Sequence, residues 1–527
     1  MKFRIKISFA LLFFAGVFTS CVEDKGNYDY NWVPDLEFRS QVANDSLIVI
    51  RGNTLTLNPV FYDVENEKAI EVNHDDYIYQ WYCLPYGEYY SSDRIYVSDK
   101  YNIDEPIYLP IESNYHRMQV MAAHKETGQI YTTQFFIRVI GRFSSTYVFL
   151  TEDAAQNVEM ELYGWDGSGK VVHDKDYLAI SNFPYLTEGA NAVTFDKFTN
   201  RLYVANGSGM SWLNSPDFDY DPVTNKLSEL MIPQTEETFS KIYRLGHTGA
   251  SSINREFYCF SDAGDLYVIN NTGMHPAINI IGTVPVSLAP MVAGYSAQQC
   301  ALFWDQTNKQ VVWAGMSNQG MTSMARSLTL LSHGISTRLT DCVHMGGSNE
   351  RRMIAVLKDV EGTFWRLDYN PYQASIMDNY SPRAIREPRQ LVGTESLGTV
   401  SHWLTTLDKG YLYAVVNNKL YTYVESQTGV TEDPGWSGVT ITDAAGASVS
   451  IEDPISFVLA ETNGLYTTAS GIDYSDYLNT CFYVVTYSAS KGGTVYILNA
   501  TDTGYNVKLI DKITGLGNVK KMSYWWG

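Results

Sequence analysis

Tryptophan side chains beside predicted turns are the residues of this sequence whose chemistry points most directly to ligand binding. The principal candidates are Trp165, Trp212, Trp304 and Trp436, with Tyr220, Trp525 and Trp526 in similar contexts. An indole in a loop offers a large apolar face on which a sugar ring can stack. Trp436 is the strongest candidate because Pro434 and Gly435 precede it in a predicted loop. The alternative for each of these rings is burial between strands, the commoner fate of tryptophan.

Three carboxylates alternate along the chain at Asp217, Asp219 and Asp221, with Asn225 close behind. Such hard oxygen donors suit Ca²⁺, which makes this run a weak calcium candidate. Pro222 stands beside the place where a calcium loop requires a tight glycine turn, and no Glu closes the loop. An exposed acidic loop is the favoured interpretation, and we predict neither a bound metal nor a cofactor.

Motifs that would mark an enzyme are missing from the sequence. The nine histidines form no H-E-x-x-H pair, and Cys342-Val343-His344 is only a loose approach to one. A G-x-S-x-G nucleophile elbow is absent as well. We therefore predict that the protein is not an enzyme. The alternative is a polysaccharide hydrolase or lyase whose paired acids come from distant parts of the chain.

Composition narrows the class of partner and of fold. The 527 residues carry 38 Lys plus Arg against 58 Asp plus Glu, a formal net charge of −20. A chain this acidic is a poor partner for nucleic acid or for an anionic membrane surface. Aromatic residues make up 14% of the chain, and the 39 Tyr outnumber the 22 Phe. Such a composition favours strands with half-buried faces over helical packing.

Residues 141–527 repeat a hairpin of an apolar strand, a polar turn and a second strand with aromatic residues. Clear copies begin at Tyr147, Arg201, Glu256, Gln310, Met353, Tyr411 and Cys481. Seven copies in this region average about 55 residues each, enough for a four-stranded propeller blade with long loops. We expect a β-propeller with seven blades; six or eight blades, or two stacked sandwiches, are the alternatives. Ring closure is expected to involve the terminal Lys520–Trp526 segment or the strand near Thr146.

Residues 37–140 read as short strands separated by turns, which predicts an Ig-like β-sandwich. Thr54–Leu57 alternates polar and apolar residues, and Tyr77–Tyr82 and Tyr131–Ile140 are further strand candidates. Trp81 is expected in the core of this module. The predicted fold is therefore all-β, with a sandwich followed by a propeller.

The first twenty residues have the layout of a secretory signal. Lys2, Arg4 and Lys6 precede an apolar stretch from Ile7 to Phe18. Thr19 and Ser20 then precede Cys21, an order similar to the lipobox of bacterial lipoproteins, although Phe18 stands where that motif usually has Leu. The resemblance implies cleavage after residue 20 and lipidation of Cys21; an ordinary secretory signal is the alternative. Residues 21–36 are expected to be a polar tether.

The run Cys-Val-Glu-Asp-Lys-Gly-Asn-Tyr-Asp-Tyr at 21–30 resembles the mature start of the PKD-like family lipoproteins of Bacteroidetes. The resemblance implies an outer-membrane lipoprotein that faces outward, is held to the membrane by lipid alone, and carries a PKD-like module before a propeller-like region. It also implies work beside a TonB-dependent transporter. Capture of a glycan or other extracellular polymer is the leading functional hypothesis. Besides the hydrolase or lyase, a structural or adhesive envelope component is the other alternative.

Overall fold

The computed structural model separates the chain into two compact units, residues 1–139 and 140–527. The residues that it describes are 36–86, 94–109, 111, 114–143, 145–166, 170–180, 183–184, 186–196, 199–215, 217–231, 239–244, 257–270, 273–276, 280–281, 284–285, 287–295, 300–315, 324–327, 338–348, 352–370, 383–384, 388–425, 433–460, 480–500 and 503–526. The predicted signal, Cys21 and most of the tether lie outside these ranges. Within them, no helix has the length and apolarity needed to cross a membrane.

The chain up to Ile140 is built from short strands. In the described residues they are β1 (Leu36–Arg39), β2 (Ser46–Ile50), β3 (Thr54–Leu57), β4 (Val60–Asp63), β5 (Lys68–Ile70), β6 (Tyr77–Leu84), β7 (Ile95–Ser98), β8 (Ile103–Pro106), β9 (His116–His124) and β10 (Ile130–Ile140). Single 3₁₀ turns lie at Ala43–Asp45 and His74–Asp76.

These strands form a five-stranded sheet in the order β2-β10-β9-β6-β7, a three-stranded sheet β1-β4-β5 and the pair β3-β8. One apolar core receives side chains from all three, including Phe61, Trp81 and Phe135. Trp81 is completely buried, and its Nε1 donates a hydrogen bond to the Lys100 carbonyl at 2.8 Å. The prediction that Trp81 is a core residue is confirmed. Layered sheets around a single core are the arrangement of a β-sandwich.

The second unit begins with three successive antiparallel sheets. The first contains β11 (Ser145–Glu152), β12 (Val158–Trp165) and β13 (Val171–Asp174), followed by the one-turn helix α1 (Tyr177–Ile180). The second contains β14 (Ala190–Asp196), β15 (Arg201–Asn206) and β16 (Gly209–Asn214), followed by a 3₁₀ turn at Leu227–Glu229. The third contains β17 (Phe239–Arg244), β18 (Phe257–Ser261), β19 (Leu266–Asn270) and β20 (Gly273–Pro276), and is followed by the small hairpin β21 (Ile280–Ile281) and β22 (Val284–Pro285).

Four more sheets follow in chain order. The fourth contains β23 (Ala293–Tyr295), β24 (Cys300–Asp305), β25 (Gln310–Gly315) and β26 (Met324–Ser327). The fifth contains β27 (Leu339–Ser348), β28 (Arg352–Asp359), β29 (Phe364–Asn370), β30 (Arg383–Ala384) and β31 (Arg389–Gln390), and leads into the one-turn helix α2 (Thr394–Leu397). The sixth contains β32 (Val400–Thr405), β33 (Leu412–Val416), β34 (Lys419–Val424) and β35 (Gly435–Gly438). The seventh contains β36 (Thr440–Thr442), β37 (Ile455–Leu459), β38 (Cys481–Ser488), β39 (Gly492–Ala500) and β40 (Asn506–Leu516).

The last strand, β41 (Val519–Trp526), returns to the first sheet. It pairs with β11 in antiparallel register from Ser145 opposite Trp526 to Thr151 opposite Val519. The first sheet therefore has the order β13-β12-β11-β41, with strands from both ends of the second unit. Both segments expected to close the ring do so, by pairing with each other.

The strands β41, β14, β17, β23, β27, β32 and β37 form one edge of their respective sheets, and we call them the inner strands. Neighbouring inner strands contact one another: β14 lies against β41 and β17, β27 against β23 and β32, and β37 against β32 and β41. Gly347 on β27 is needed at one contact, since a Cβ there would lie 2.0 Å from the Gly294 carbonyl oxygen on β23. The second unit is thus all-β and propeller-like.

Apolar side chains fill the space between each sheet and the next. Separate cores lie between the first and second sheets, the second and third, and so on to the sixth and seventh. A further core joins the seventh sheet to the first. The four described free cysteines, Cys83, Cys259, Cys342 and Cys481, are buried in these cores and in the sandwich core, as small apolar residues are.

Aspartates in hairpin turns account for part of the acidic composition. At the β28–β29 turn, Asp359 Oδ1 accepts hydrogen bonds from the backbone N–H groups of Glu361 and Thr363, both at 2.9 Å. Its Oδ2 accepts one from Trp365 Nε1 at 3.0 Å. Asp153 and Asp305 accept equivalent backbone bonds in the turns of the first and fourth sheets. These carboxylates close turns and are not free for other chemistry.

The core between the seventh and first sheets generates a stability prediction. Tyr524 on β41 is completely buried, and its ring centroid lies 4.9 Å from that of Tyr147 on β11. Tyr147 in turn lies 5.9 Å from Tyr483 of the seventh sheet. We expect Tyr524→Ala to lower the free energy of unfolding by about 3–5 kcal/mol, as for other buried aromatics cut back to alanine. Chemical denaturation followed by tryptophan fluorescence measures the change.

Tyr505→Ala is the matched control, because Tyr505 is 36% exposed. We expect it to change the unfolding free energy by less than about 0.5 kcal/mol. Equal effects of the two substitutions would contradict the role given to β41.

The Asp359 turn generates a pH prediction. Burial of this carboxylate opposes its ionisation, but the hydrogen bonds from Trp365, Thr363 and Glu361 outweigh burial and hold the pKa of Asp359 below its ordinary value. Its ionised form therefore stabilises the fold above the ordinary Asp pKa of about 3.9, and this stability is lost as pH falls through the folded value. We expect Asp359→Asn to lower the Tm at pH 7. The difference in Tm between wild type and variant should narrow as the pH is taken below about 4.

Asp45→Asn is the control, since Asp45 is exposed, and its Tm should match that of wild type at both pH values. A Tm difference for Asp359→Asn that stays constant across the titration would show that the carboxylate charge is not what stabilises the turn.

Candidate functional site

Four aromatic rings gather where the fifth sheet meets the sixth. They are Phe364 on β29, Trp403 on β32, Tyr423 on β34 and Trp436 on β35, which we call the aromatic seam. The Trp403 centroid lies 5.8 Å from both Phe364 and Trp436, and Trp436 lies 5.3 Å from Tyr423. These spacings are typical of packed aromatic pairs.

Strand register brings the rings of the seam together. Tyr423 and Trp436 are directly opposite on β34 and β35, so their side chains share one face of the sixth sheet. That face packs on the fifth sheet, where Phe364, Val356 and Leu391 complete the core. Phe364, Trp403 and Trp436 are each only partly buried, whereas Tyr423 is 4% exposed. The seam thus consists of one buried ring, Tyr423, and three partly exposed rings.

Hydrogen bonds fix the orientation of Trp436. Its Nε1 donates to Thr394 Oγ1 at 2.9 Å, and Thr394 Oγ1 donates to the Leu391 carbonyl at 2.6 Å. Gly435, with φ of +84°, lets β35 approach α2 closely, since a Cβ there would lie 3.1 Å from the Val392 carbonyl oxygen. The glycine before Trp436 therefore has a steric function as well as the conformational one expected from sequence.

The Tyr423 hydroxyl connects the seam to charged residues. It accepts a hydrogen bond from Val392 N at 3.2 Å, and it lies 3.1 Å from both the Gln390 carbonyl and Asp433 Oδ2, either of which can accept its proton. Burial, with the nearby Asp433 charge adding to it, raises the pKa of Tyr423 to about 12. The phenol is therefore neutral at physiological pH and acts as a hydrogen-bonding group.

Five side chains of alternating charge form a row that starts at Asp433, whose side chain is 9% exposed, and ends at the buried Asp368. Asp433 Oδ1 lies 3.1 Å from Arg389 Nη1, and Arg389 lies 4.0 Å from Glu425 Oε2. Glu425 Oε1 is 2.9 Å from Arg366 Nη1, and Arg366 binds Asp368 through Nη2 at 2.8 Å. Arg366 and Asp368 have side chains only 2% and 1% exposed, while Arg389 and Glu425 are 34% and 27% exposed.

The seam combines two kinds of group that a binding surface uses. Partly exposed indoles beside an arginine and a carboxylate supply an apolar face together with planar hydrogen-bonding groups. A neutral polyol ligand can stack on the apolar face and form hydrogen bonds with the planar polar groups. Each charged group of the row already has a partner of opposite sign.

His344 lies deeper between the same two sheets. Its Nε2 is 2.8 Å from Thr405 Oγ1, which links β27 to β32. Burial, with the Arg366 charge acting in the same direction, lowers the pKa of His344 to about 4, so the ring is neutral at pH 7. Cys342 Sγ donates to the His344 carbonyl at 3.5 Å, and burial raises the pKa of this thiol. Cys342 is therefore a neutral core residue, and His344 is a neutral, hydrogen-bonded and partly buried neighbour.

The structure corrects three of the four predicted ligand-binding tryptophans. Trp304 is completely buried between the fourth and fifth sheets. Trp212 is 2% exposed between the second and third sheets, and Trp165 is 3% exposed between the seventh and first. Their positions next to turns were misleading because the turns end strands whose side chains face the neighbouring sheet. Trp525 is likewise buried, at 2% exposure.

Trp436 retains an exposed part but does not lie in a loop. It is the second residue of β35, and its neighbour Pro434 is exposed just before the strand.

The sequence did not predict Phe364, Trp403 and Tyr423 as the aromatic residues that pack with Trp436. The sequence placed these residues in or near predicted hairpin strands. It could not show that the fifth and sixth sheets bring them together, because that depends on strand register and on the packing of one sheet on the other.

The calcium candidate does not converge on a site. Asp221 accepts hydrogen bonds from Val223 N at 2.8 Å and Thr224 Oγ1 at 2.9 Å, which close its own turn. Asn225 is directed inward and donates to the Trp212 carbonyl at 2.9 Å. Asp217 and Asp219 do not join Asp221 in a ligand set. Across the described ranges, no group of three or more His, Cys, Asp or Glu side chains could hold a metal ion.

No protein-family profile matches this chain, and no curated protein does. Solved structures share low-level similarity with it. A periplasmic gluconolactonase from Pseudomonas aeruginosa is 12% identical, with a TM-score of 0.37 over 72% of this chain and 98% of its own. A protein described as a 6-phosphogluconolactonase from Bacteroides fragilis is 10% identical, with a TM-score of 0.36 and the same coverage. AztD from Citrobacter koseri is 10% identical, with a TM-score of 0.28 over 85% of this chain and 98% of its own. The propeller-like character of the second unit follows from its sheet order.

The buried end of the charge row generates a prediction. Removing Arg366 would leave Asp368 buried without its counter-charge, a change that typically costs about 3–5 kcal/mol. We therefore expect Arg366→Met to lower the free energy of unfolding by that amount in chemical denaturation. The double variant Arg366→Met with Asp368→Asn should recover part of the loss, because position 368 then carries no buried charge.

Lys491→Met is the control, since Lys491 is 56% exposed where it meets Glu452 and Asp453. It should cost less than about 1 kcal/mol. A loss for Arg366→Met no larger than this, or no recovery in the double variant, would show that the ion pair is not what holds the interior of this interface.

Proposed function

We propose that the protein captures a glycan or a similar extracellular polymer at the aromatic seam, without cleaving it. The observation that carries the proposal is the set of partly exposed rings, Phe364, Trp403 and Trp436, held in fixed orientation beside Arg389 and Asp433. Rigid aromatic faces lose little conformational entropy on binding, and the Arg389 side chain, 34% exposed, offers hydrogen bonds to hydroxyl groups. The absence of an unpaired catalytic residue among the described seam residues favours binding over turnover.

The setting we propose for this activity comes from the sequence. The resemblance of residues 21–30 to PKD-like family lipoproteins of Bacteroidetes supports a chain lipidated at Cys21 and displayed on the outer membrane. There it would serve a TonB-dependent transporter. The Ig-like sandwich would act as a PKD-type spacer, and the propeller would have seven blades; the seven successive sheets support this count. The net charge of −20 argues against nucleic acid as a partner.

Binding to a panel of purified polysaccharides tests the proposal. We expect one class of polymer to bind wild-type protein, and Trp436→Ala or Trp403→Ala to weaken that binding by at least about 10-fold, as loss of a central aromatic anchor does. Trp436→Phe should retain more affinity because a ring remains in place. Affinity electrophoresis or calorimetry measures the effect, and an unchanged Tm for each variant separates lost contact from lost fold.

Tyr505→Ala is the control, since it removes an exposed aromatic ring outside the seam. Binding that weakens equally in this control would contradict the location of the site. New reducing or unsaturated ends during incubation would favour the hydrolase or lyase instead. A panel with neither binding nor products would favour a structural or adhesive component.

A further inference from the structure

The five-stranded sheet of the first unit has one face in the core and a second face exposed to solvent. Trp81, Val120 and Phe135 are on the core side and are completely buried. Residues that alternate with them along the strands lie on the opposite side, where Ile78 is 51% and Ile130 is 59% exposed. We call this second side the outer face.

Strand register aligns aromatic and carboxamide side chains across the outer face. Tyr82 on β6 lies opposite Tyr96 on β7 and Gln119 on β9, and Gln119 lies opposite Gln134 on β10. The ring centroids of Tyr82 and Tyr96 are 6.1 Å apart. The Tyr82 hydroxyl donates a hydrogen bond to Gln80 Oε1 at 3.0 Å. One continuous row of two rings and two carboxamides thus crosses four adjacent strands.

The outer face is basic although the chain as a whole is acidic. The strands β2, β6, β7, β9 and β10 contain no Asp or Glu, whereas the full chain has 58 of these residues. Arg117 on β9 is exposed and lies opposite Phe136. Arg94, just before β7, is also exposed, and its guanidinium carbon lies 5.8 Å from the centroid of the Tyr82 ring. Asp99, which follows β7, interacts with Tyr96 at the edge of the sheet.

These groups match the chemistry of an acidic sugar polymer. Sugar rings can stack on tyrosine faces, and glutamine carboxamides both donate to and accept from hydroxyl groups. A guanidinium group binds a carboxylate through two parallel hydrogen bonds, which are stronger than neutral ones. From this charge complementarity we propose that the outer face binds an anionic polysaccharide, with Tyr82 and Tyr96 stacking on its rings and Arg94 and Arg117 pairing with its carboxylates. The site is independent of the aromatic seam, and it gives the sandwich a binding function beyond that of a spacer.

Titration of the full chain with polygalacturonate and with alginate, at constant ionic strength, tests the proposal. We expect at least one of these uronate polymers to bind. Tyr96→Ala and Arg117→Gln should each weaken that binding by about 10-fold, as loss of an aromatic anchor or of a hydrogen bond to a charged group does. The methyl ester of the bound polymer should bind at least about 10-fold more weakly, because it keeps the backbone but lacks the negative charge.

Two exposed residues of the same unit provide matched controls. Tyr108 is 68% exposed and lies outside the five-stranded sheet, and Arg39 lies on β1 of the three-stranded sheet. Tyr108→Ala and Arg39→Gln should leave binding unchanged. Hydroxyl-radical footprinting of wild-type protein keeps the test independent of variant folding, since the bound polymer should protect Tyr96 and Phe136 but not Tyr108.

The outcomes separate this site from the seam and from self-association. Failure of both uronate polymers to bind, equal affinity for the methyl ester, or equal weakening in the control variants would overturn the proposal. Binding that Trp436→Ala weakens and Tyr96→Ala does not would place the polymer at the seam, which would support glycan capture there and overturn the outer-face site. A dimer of wild-type protein that Arg117→Gln dissociates would identify a second copy of the chain as the occupant and would also overturn it.

Discussion

The packing of the seventh sheet against the first is the contact on which the rest of the second unit depends. Each sheet has two apolar faces and needs a neighbour on both sides, because an uncovered face would expose a large hydrophobic surface to water. A linear array would leave two such faces, one at either end. Here Tyr147, Tyr483 and Tyr524 fill the space between the two ends of the array. Strand β41 then adds backbone pairing with β11 to the side-chain packing.

Closure also determines where chemistry can occur. The core between neighbouring sheets buries most aromatic residues, so a ring reaches solvent only where an interface opens toward its edge. The interface of the fifth and sixth sheets opens in this way, because the partly exposed Arg389 and Glu425 occupy part of it and exclude a fully apolar core. Trp403 and Trp436 lie at the boundary between that polar part and the buried residues Leu412 and Tyr423.

Local sequence patterns predicted where the strands lie, but they did not predict which aromatic side chains are buried and which are exposed. Strand periodicity identified the hairpins that begin near Tyr147, Arg201 and Cys481, since alternation and turn residues are local properties. The same patterns could not distinguish Trp304 from Trp436. Both follow or precede turn residues, and only the packing of one sheet on another decides that Trp304 is buried and Trp436 partly exposed. The sequence also could not predict the Arg366–Glu425 ion pair or the Tyr423–Asp433 hydrogen bond, because both depend on strand register and on which sheets are neighbours.

Amide hydrogen exchange of the native protein tests the closed arrangement most directly. If β41 holds the array together, the amides of β41 that donate to β11 should exchange as slowly as the hydrogen-bonded amides of β28 and β38, because opening any of them requires the whole unit to unfold. Rapid exchange of these amides, with β28 and β38 still protected, would mean that the last strand frays independently. That result would contradict the account, since the packing of the seventh sheet on the first would then persist without β41.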